Sequence, residues 1–280
     1  MKNSKKAYTL GAFVYIAGTA VLLAIFLLMI AINVGTGASQ HIKDNVNGIV
    51  LICISFCIVS GIMYCYFYFE NKKYILCPSK IVEVFLLLSI SLLASFLIGK
   101  YVNAAARPVA FLALMAVTLL GRREAIFLNI IFALQMFILD NFSDVTGLNA
   151  LETSESYNFL VLTFCTGMIG IFITPRIKTR IGSVILAFVL LIPIEVINAL
   201  LGTVDAEEFE KILNLLLFGA LSSFFSVLLY MFMLPIFEVM FSELTIFRLR
   251  ELASEQAKLI KRLKKNAPGT YHHSMTVAQI

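Results

Sequence analysis

Tryptophan is absent from these 280 residues, and only 14% of them are charged. Histidine occurs three times, cysteine five times and proline six times. Each shortage excludes something. Without tryptophan, an aromatic belt at a membrane surface must be built from tyrosine and phenylalanine. With so little charge and 60% hydrophobic residues, a water-soluble domain of this length is excluded. Mean hydropathy is +0.93. The chain therefore reads as an all-α integral membrane protein. Clear internal repeats are missing, and polar residues inside the apolar runs are few. Both shortages count against a transporter, which shows paired broken helices or an ion-coupling cluster.

The cysteines are Cys53, Cys57, Cys65, Cys77 and Cys165. Cys53 and Cys57 share a helix face, but a metal site there needs further ligands. All five read as reduced packing residues. No acidic residue follows position 255. A metal site near the C-terminal histidines therefore has no carboxylate of its own to draw on.

What is present is a series of long apolar runs, at about 10–34, 48–69, 81–102, 104–120, 125–141, 157–174, 181–201 and 212–241. Each is long enough, or nearly so, to cross a hydrocarbon core of about 30 Å as a helix. This predicts about eight transmembrane helices, one plus seven. The fourth and fifth runs are the shortest and fit a re-entrant hairpin as an alternative. The first run follows Lys2, Lys5 and Lys6 but is too long for the core of a signal peptide, so it reads as an uncleaved anchor.

Charge sets the orientation. With the N-terminus inside, all 22 lysines and arginines except Lys43, Lys100, Arg107 and Lys211 fall on inside segments. Most acids, from Asp44 and Asp140 to Glu210, fall outside. The net charge of +5 thus reflects topology and not a DNA-binding surface. Both ends are expected in the cytoplasm. One ionisable residue stands out within a run: Glu195, two positions after Pro193. An intramembrane carboxylate is costly and is a candidate for ligand, proton or helix contact. A protonated carboxyl bonded to a neighbouring helix is the commoner explanation of such a residue.

From position 242 the sequence turns charged. Leu249, Leu252, Leu259, Ile260 and Leu263 follow helical spacing among seven basic residues, which predicts an amphipathic linker helix over 242–266. Such a helix can pair with a second copy as a short coiled coil, lie on anionic lipid, or connect two domains. Next, Pro268-Gly269 reads as a turn and Thr270 as the cap of a new helix carrying His272 and His273. Adjacent histidines point about 100° apart around a helix, so they do not share one ion as a pair. Histidines at a helix start are more often surface or capping residues than ligands.

The run Ala267-Pro-Gly-Thr-Tyr-His-His-Ser-Met-Thr-Val277 nevertheless resembles the start of the HD domain in the seven-transmembrane HD phosphohydrolases. These include the PgpH-type cyclic di-AMP phosphodiesterases of bacteria. The upstream Leu234-Pro-Ile-Phe-Glu238 and Phe241 are similar to that family too. The resemblance implies four parts: an anchor and short outer loop at 1–47, a membrane domain at 48–241, a linker at 242–266 and the start of an HD domain at 267–280. It implies His273 as the first metal ligand, with His272 a weaker candidate. In the intact protein two divalent transition metals, manganese or iron, would hydrolyse a cyclic dinucleotide in the bacterial cytoplasmic membrane. The implied partners are the lipid bilayer and, in the intact protein, a cyclic dinucleotide; a homodimer through the linker is the further option that its apolar stripe allows.

Two features depart from the family. The His-Asp pair and later Asp that complete the centre are missing, so the chain reads as truncated just inside the HD domain. No metal is expected to bind it stably and no hydrolysis is expected from it. The space at 35–47 is also too short for the outer domain that family members carry. The alternative reading is a membrane sensor or transporter module without hydrolytic activity.

Overall fold

The computed structural model describes residues 2–34, 46–141, 153–202, 209–254 and 256–279. The short first outer loop and the longest one, expected at 35–47 and 142–156, lie mostly outside these residues. Every regular element described is a helix. The order is α1 (Lys2–Val34), α2 (Val46–Phe69), α3 (Lys72–Leu76), α4 (Pro78–Tyr101), α5 (Phe111–Leu119) and α6 (Arg122–Asn141). Then follow α7 (Thr153–Ile173), α8 (Ile185–Gly202), α9 (Phe209–Met240), α10 (Ile246–Ala253), α11 (Lys258–Asn266) and α12 (Pro268–Gln279).

Among the described residues six helices are long and apolar enough to cross a membrane: α1, α2, α4, α7, α8 and α9. The other two apolar runs became α5 and α6. With nine residues, α5 rises only about 14 Å. It is also the most shielded element, with Phe111 through Ala116 fully buried. A helix wrapped by others does not have to match the hydrocarbon thickness by itself. α6, α7 and α9 pack around it.

Cross-links at the helix ends define two poles. At one, Arg123 pairs with Glu70, and the Asn71 amide donates to Glu124 at 2.7 Å. Lys80 meets Glu243 at 2.7 Å and Arg180 meets Glu238 at 2.7 Å at the same pole. At the other, Arg107 pairs with Asp140, and the Lys100 ammonium donates to the Ile32 carbonyl at 3.0 Å. The basic loops therefore gather at one pole, as the charge alternation requires. The turn between α5 and α6 reaches that pole beside the α2–α3 turn.

The N-terminal helix is docked on the bundle and does not stand off from it. The Tyr15 hydroxyl donates to the Ser60 carbonyl at 2.6 Å, and its ring lies edge-on to Phe85. Gly18 makes this approach possible, because a Cβ there would sit 2.6 Å from the Phe85 ring.

Three local expectations are corrected. The linker is not one helix: Ser254 takes an extended conformation, with ψ 146°, and separates α10 from α11. Its amide and hydroxyl both bond to the Glu251 carbonyl, which diverts the chain from helix. The last helix starts at Pro268, and its first bond runs from the Tyr271 amide to the Ala267 carbonyl. Proline at the first helical position loses no hydrogen bond, so Pro268-Gly269 opens the helix and Thr270 lies within it. The five cysteines are unpaired, but Cys57, Cys65 and Cys77 are exposed on the chain and do not pack its core.

Candidate functional site

Among the described residues the ion pairs are concentrated at the two poles of the bundle. The deeper pair is Arg107 with Asp140, on the approach to α5 and the end of α6. Both are about 2% exposed or less, and the guanidinium Nη1 bonds both carboxylate oxygens at 2.8 and 2.6 Å. The Phe159 ring covers the guanidinium at 5.0 Å. The Ser222 hydroxyl of α9 donates to the Arg107 carbonyl. Gly99 leaves room for the side chain, since a Cβ there would lie 2.6 Å from Nε. The sequence reading placed both charges in outer segments and did not pair them. The signal was there: one arginine and one aspartate at opposite ends of two consecutive apolar runs.

The second cluster lies where the last membrane helix hands over to the linker. Glu238, 2% exposed on the last turn of α9, accepts from Arg180 Nη2 at 2.7 Å and from the Thr245 hydroxyl. Thr245 in turn caps α10 by accepting from the Arg248 amide at 3.2 Å. Arg248 reaches back to the Glu238 and Glu243 carbonyls at 2.6 and 3.2 Å. Arg180 also bonds Glu251 on α10, at 3.1 Å from its Nη2. Lys80 of α4 joins Glu83 and Glu243 at 2.9 and 2.7 Å. Between the two helices Ser242 turns the chain at φ 55°, a left-handed value that most residues avoid. The result is a clasp. Two basic residues from elsewhere in the bundle, Lys80 and Arg180, hold the exit of α9 and the start of α10 together.

Glu251 shows how this clasp responds to pH. The hydrogen bond from Arg180 holds its carboxyl below the ordinary value of 4.5. The same bond, with Glu238, holds the Arg180 guanidinium above its already strongly basic value. A depressed acid stabilises the fold above its unfolded pKa and loses that contribution as pH falls through the folded one. A raised base contributes at all lower pH. Hydrogen exchange of residues 246–253 is therefore expected to show constant protection from about pH 5 to 9, after correction for intrinsic exchange rates, and to loosen only below about 4.5. Loosening near pH 6.5 would contradict this assignment.

Glu195 lies nearer the outer pole than its central place in the apolar run suggests. It meets α9 at Gly219, nearly one turn beyond Ser222. A Cβ at Gly219 would be 3.0 Å from Glu195 Oε1 and 2.5 Å from Asn198 Nδ2. Among the described residues neither carboxylate oxygen has a hydrogen-bond partner, nor does that amide nitrogen. An unpaired, half-buried carboxylate costs stability. Glu195→Gln is thus expected to raise the melting temperature of the detergent-solubilised protein, or leave it unchanged. A clear fall would show that the carboxylate has a partner it needs.

His272 and His273 are side by side and exposed on α12. The Thr276 hydroxyl donates to the His272 carbonyl at 3.0 Å, while the neighbouring Tyr271 is buried. Among the described residues no group of three His, Cys, Asp or Glu side chains can hold a metal. Two adjacent histidines do not fit a two-metal centre, which needs several further ligands.

The profile of a family described as "7TM receptor with intracellular HD hydrolase" matches residues 45–245. The chain belongs to this family. The 7TM-HD match covers the helices from α2 to the clasp and ends at Thr245, the residue that joins α9 to α10. Two curated relatives are each named cyclic-di-AMP phosphodiesterase PgpH. The one from Bacillus subtilis is 28% identical over 219 residues, covering 76% of this chain and 29% of the relative. The one from Listeria monocytogenes is 30% identical over 176 residues, covering 62% of this chain and 23% of the relative. The chain thus spans less than a third of the length of the relatives it matches. No solved structure matches it.

Proposed function

We propose that this chain is the membrane part of a metal-dependent HD phosphohydrolase that hydrolyses cyclic di-AMP in its intact form. It sits in the bacterial cytoplasmic membrane. The family assignment of residues 45–245 carries this reading, together with the names of the two relatives. The motif at 267–277, two short helices beyond the clasp, supports it.

In this reading the bundle crosses the membrane eight times, with both termini on the cytoplasmic side. The turn of the α5–α6 hairpin lies by the basic pole, which supports counting the hairpin as two crossings. The clasp transmits the state of the membrane domain to the hydrolytic domain. His273 is one metal ligand among several in the intact protein, because a single histidine cannot hold a two-metal centre. Residues 1–280 by themselves hydrolyse nothing.

The test begins with the DNA downstream of codon 280. A His-Asp pair a few tens of codons on, followed by a later Asp, is the expected finding. The extended chain, purified with manganese, should then cleave cyclic di-AMP, and His273→Ala should abolish cleavage. Absence of any such sequence in all three frames would overturn the hydrolase reading and favour a membrane sensor.

A further inference from the structure

Beyond the clasp the chain presents a surface that nothing in the described structure covers. Leu244, Ile246, Leu249, Leu252 and Leu259 are exposed, Leu259 to 75%. Around them Arg250, Lys258, Lys261, Arg262 and Lys265 are exposed and form no ion pair among the described residues. Lys264 is engaged over the Tyr271 ring at 5.4 Å. We infer that residues 244–265 dock on anionic lipid beside the bundle, with these leucines at the acyl boundary and the basic side chains on lipid phosphates.

Three observations favour a lipid surface. The first is depth. Phe247 is buried, and with Ile246 it lines a small cavity against Val117, Thr118, Pro175 and Ile177, at the basic-pole ends of α5 and α7. Arg180 and Glu238 tie the same segment to the end of α9. The start of α10 is therefore fixed where the hydrocarbon core gives way to headgroups. The second is continuity. Ile236, Val239 and Met240 on the last turns of α9 are exposed apolar residues, and Leu244 and Ile246 continue that exposure beyond the turn. The third is charge. Two copies of a segment with this many unpaired cations repel each other, whereas a leaflet of anionic lipid attracts each of them. A helix with apolar and basic residues at its surface, held at headgroup depth, has the properties of an interfacial helix.

The absence of tryptophan provides the probe. Leu252→Trp and Leu259→Trp, made separately in the full chain, each give a single fluorophore. The chain is reconstituted in nanodiscs of phosphatidylcholine alone or mixed with phosphatidylglycerol, with and without acyl-brominated lipid. The expected result is blue-shifted emission in the anionic discs, quenched by bromolipid roughly two-fold or more over neutral discs. High salt should reverse the effect. So should the triple change Lys258→Glu, Lys261→Glu, Arg262→Glu, which leaves the clasp residues in place.

Solvent-like emission at both positions in anionic discs would overturn the inference. Blue-shifted emission without bromolipid quenching would also overturn it, because it would identify a protein surface as the occupant. If that shift rose with the number of chains per disc, the occupant would be a second copy. The experiment does not depend on hydrolytic activity, so it can fail while the hydrolase reading stands.

Discussion

Replacing Arg107 with alanine is expected to destabilise the membrane domain by about 3–5 kcal/mol, the usual consequence of leaving one member of a buried ion pair alone. Asp140 would keep its burial and lose both bonds to the guanidinium. Its neighbour Phe159 would lose the cation it covers. Asp140→Ala should cost a similar amount by stranding the arginine. The double change Arg107→Met with Asp140→Leu should recover most of the loss, because well-packed apolar residues often replace a buried pair without penalty. Thermal unfolding in detergent, run as a double-mutant cycle, measures the coupling. A coupling near zero would show that the two residues act independently. The pair joins the approach to α5 with the end of α6, while Ser222 of α9 holds the same backbone. Its loss should therefore loosen the outer pole first.

Glu238→Ala should act at the opposite pole and more locally. Arg180 would keep only the exposed Glu251, and Thr245 would lose its acceptor. Hydrogen bonds to charged groups contribute about 1.5–3 kcal/mol each, so losing even one of the two should raise opening of residues 245–253 at least roughly ten- to hundred-fold. Hydrogen exchange should show this in α10, with α4, α7 and the rest of α9 before its last turns unchanged. Glu238→Gln should be milder, since an amide oxygen still accepts from Thr245 or Arg180. If α10 stays as protected as in the parent chain, the clasp does not hold the linker. In the intact hydrolase proposed for this chain, the same substitution should alter the basal rate without removing metal.

The two clusters lie about 24 Å apart along α9, from Ser222 to Glu238, at 1.5 Å per residue. That distance is close to a hydrocarbon core. The chain thus places paired charge at each boundary of its membrane domain and leaves the span between mostly apolar. Each cluster joins helices that are distant in sequence, so it ties the bundle together at the depth where water becomes available.

The sequence by itself determined the class of this protein, the positions of most of its helices and the sorting of its charges between two poles. These properties depend on local composition, because an apolar run must be helical in lipid whatever it packs against. The Ala267–Val277 motif also pointed to the family directly. Only the tertiary structure decided which charges meet. Arg107 is 33 residues from Asp140, and Arg180 is 58 from Glu238 and 71 from Glu251. No local rule pairs residues across such separations. The structure also decided that α5 is a short buried helix, that the linker breaks at Ser254, and that Glu195 lies toward the outer pole beside Gly219. Each of these depends on a neighbour supplied by another part of the fold: the helices that shield α5, the Glu251 carbonyl that takes both bonds from Ser254, and the gap that a missing Cβ leaves in α9.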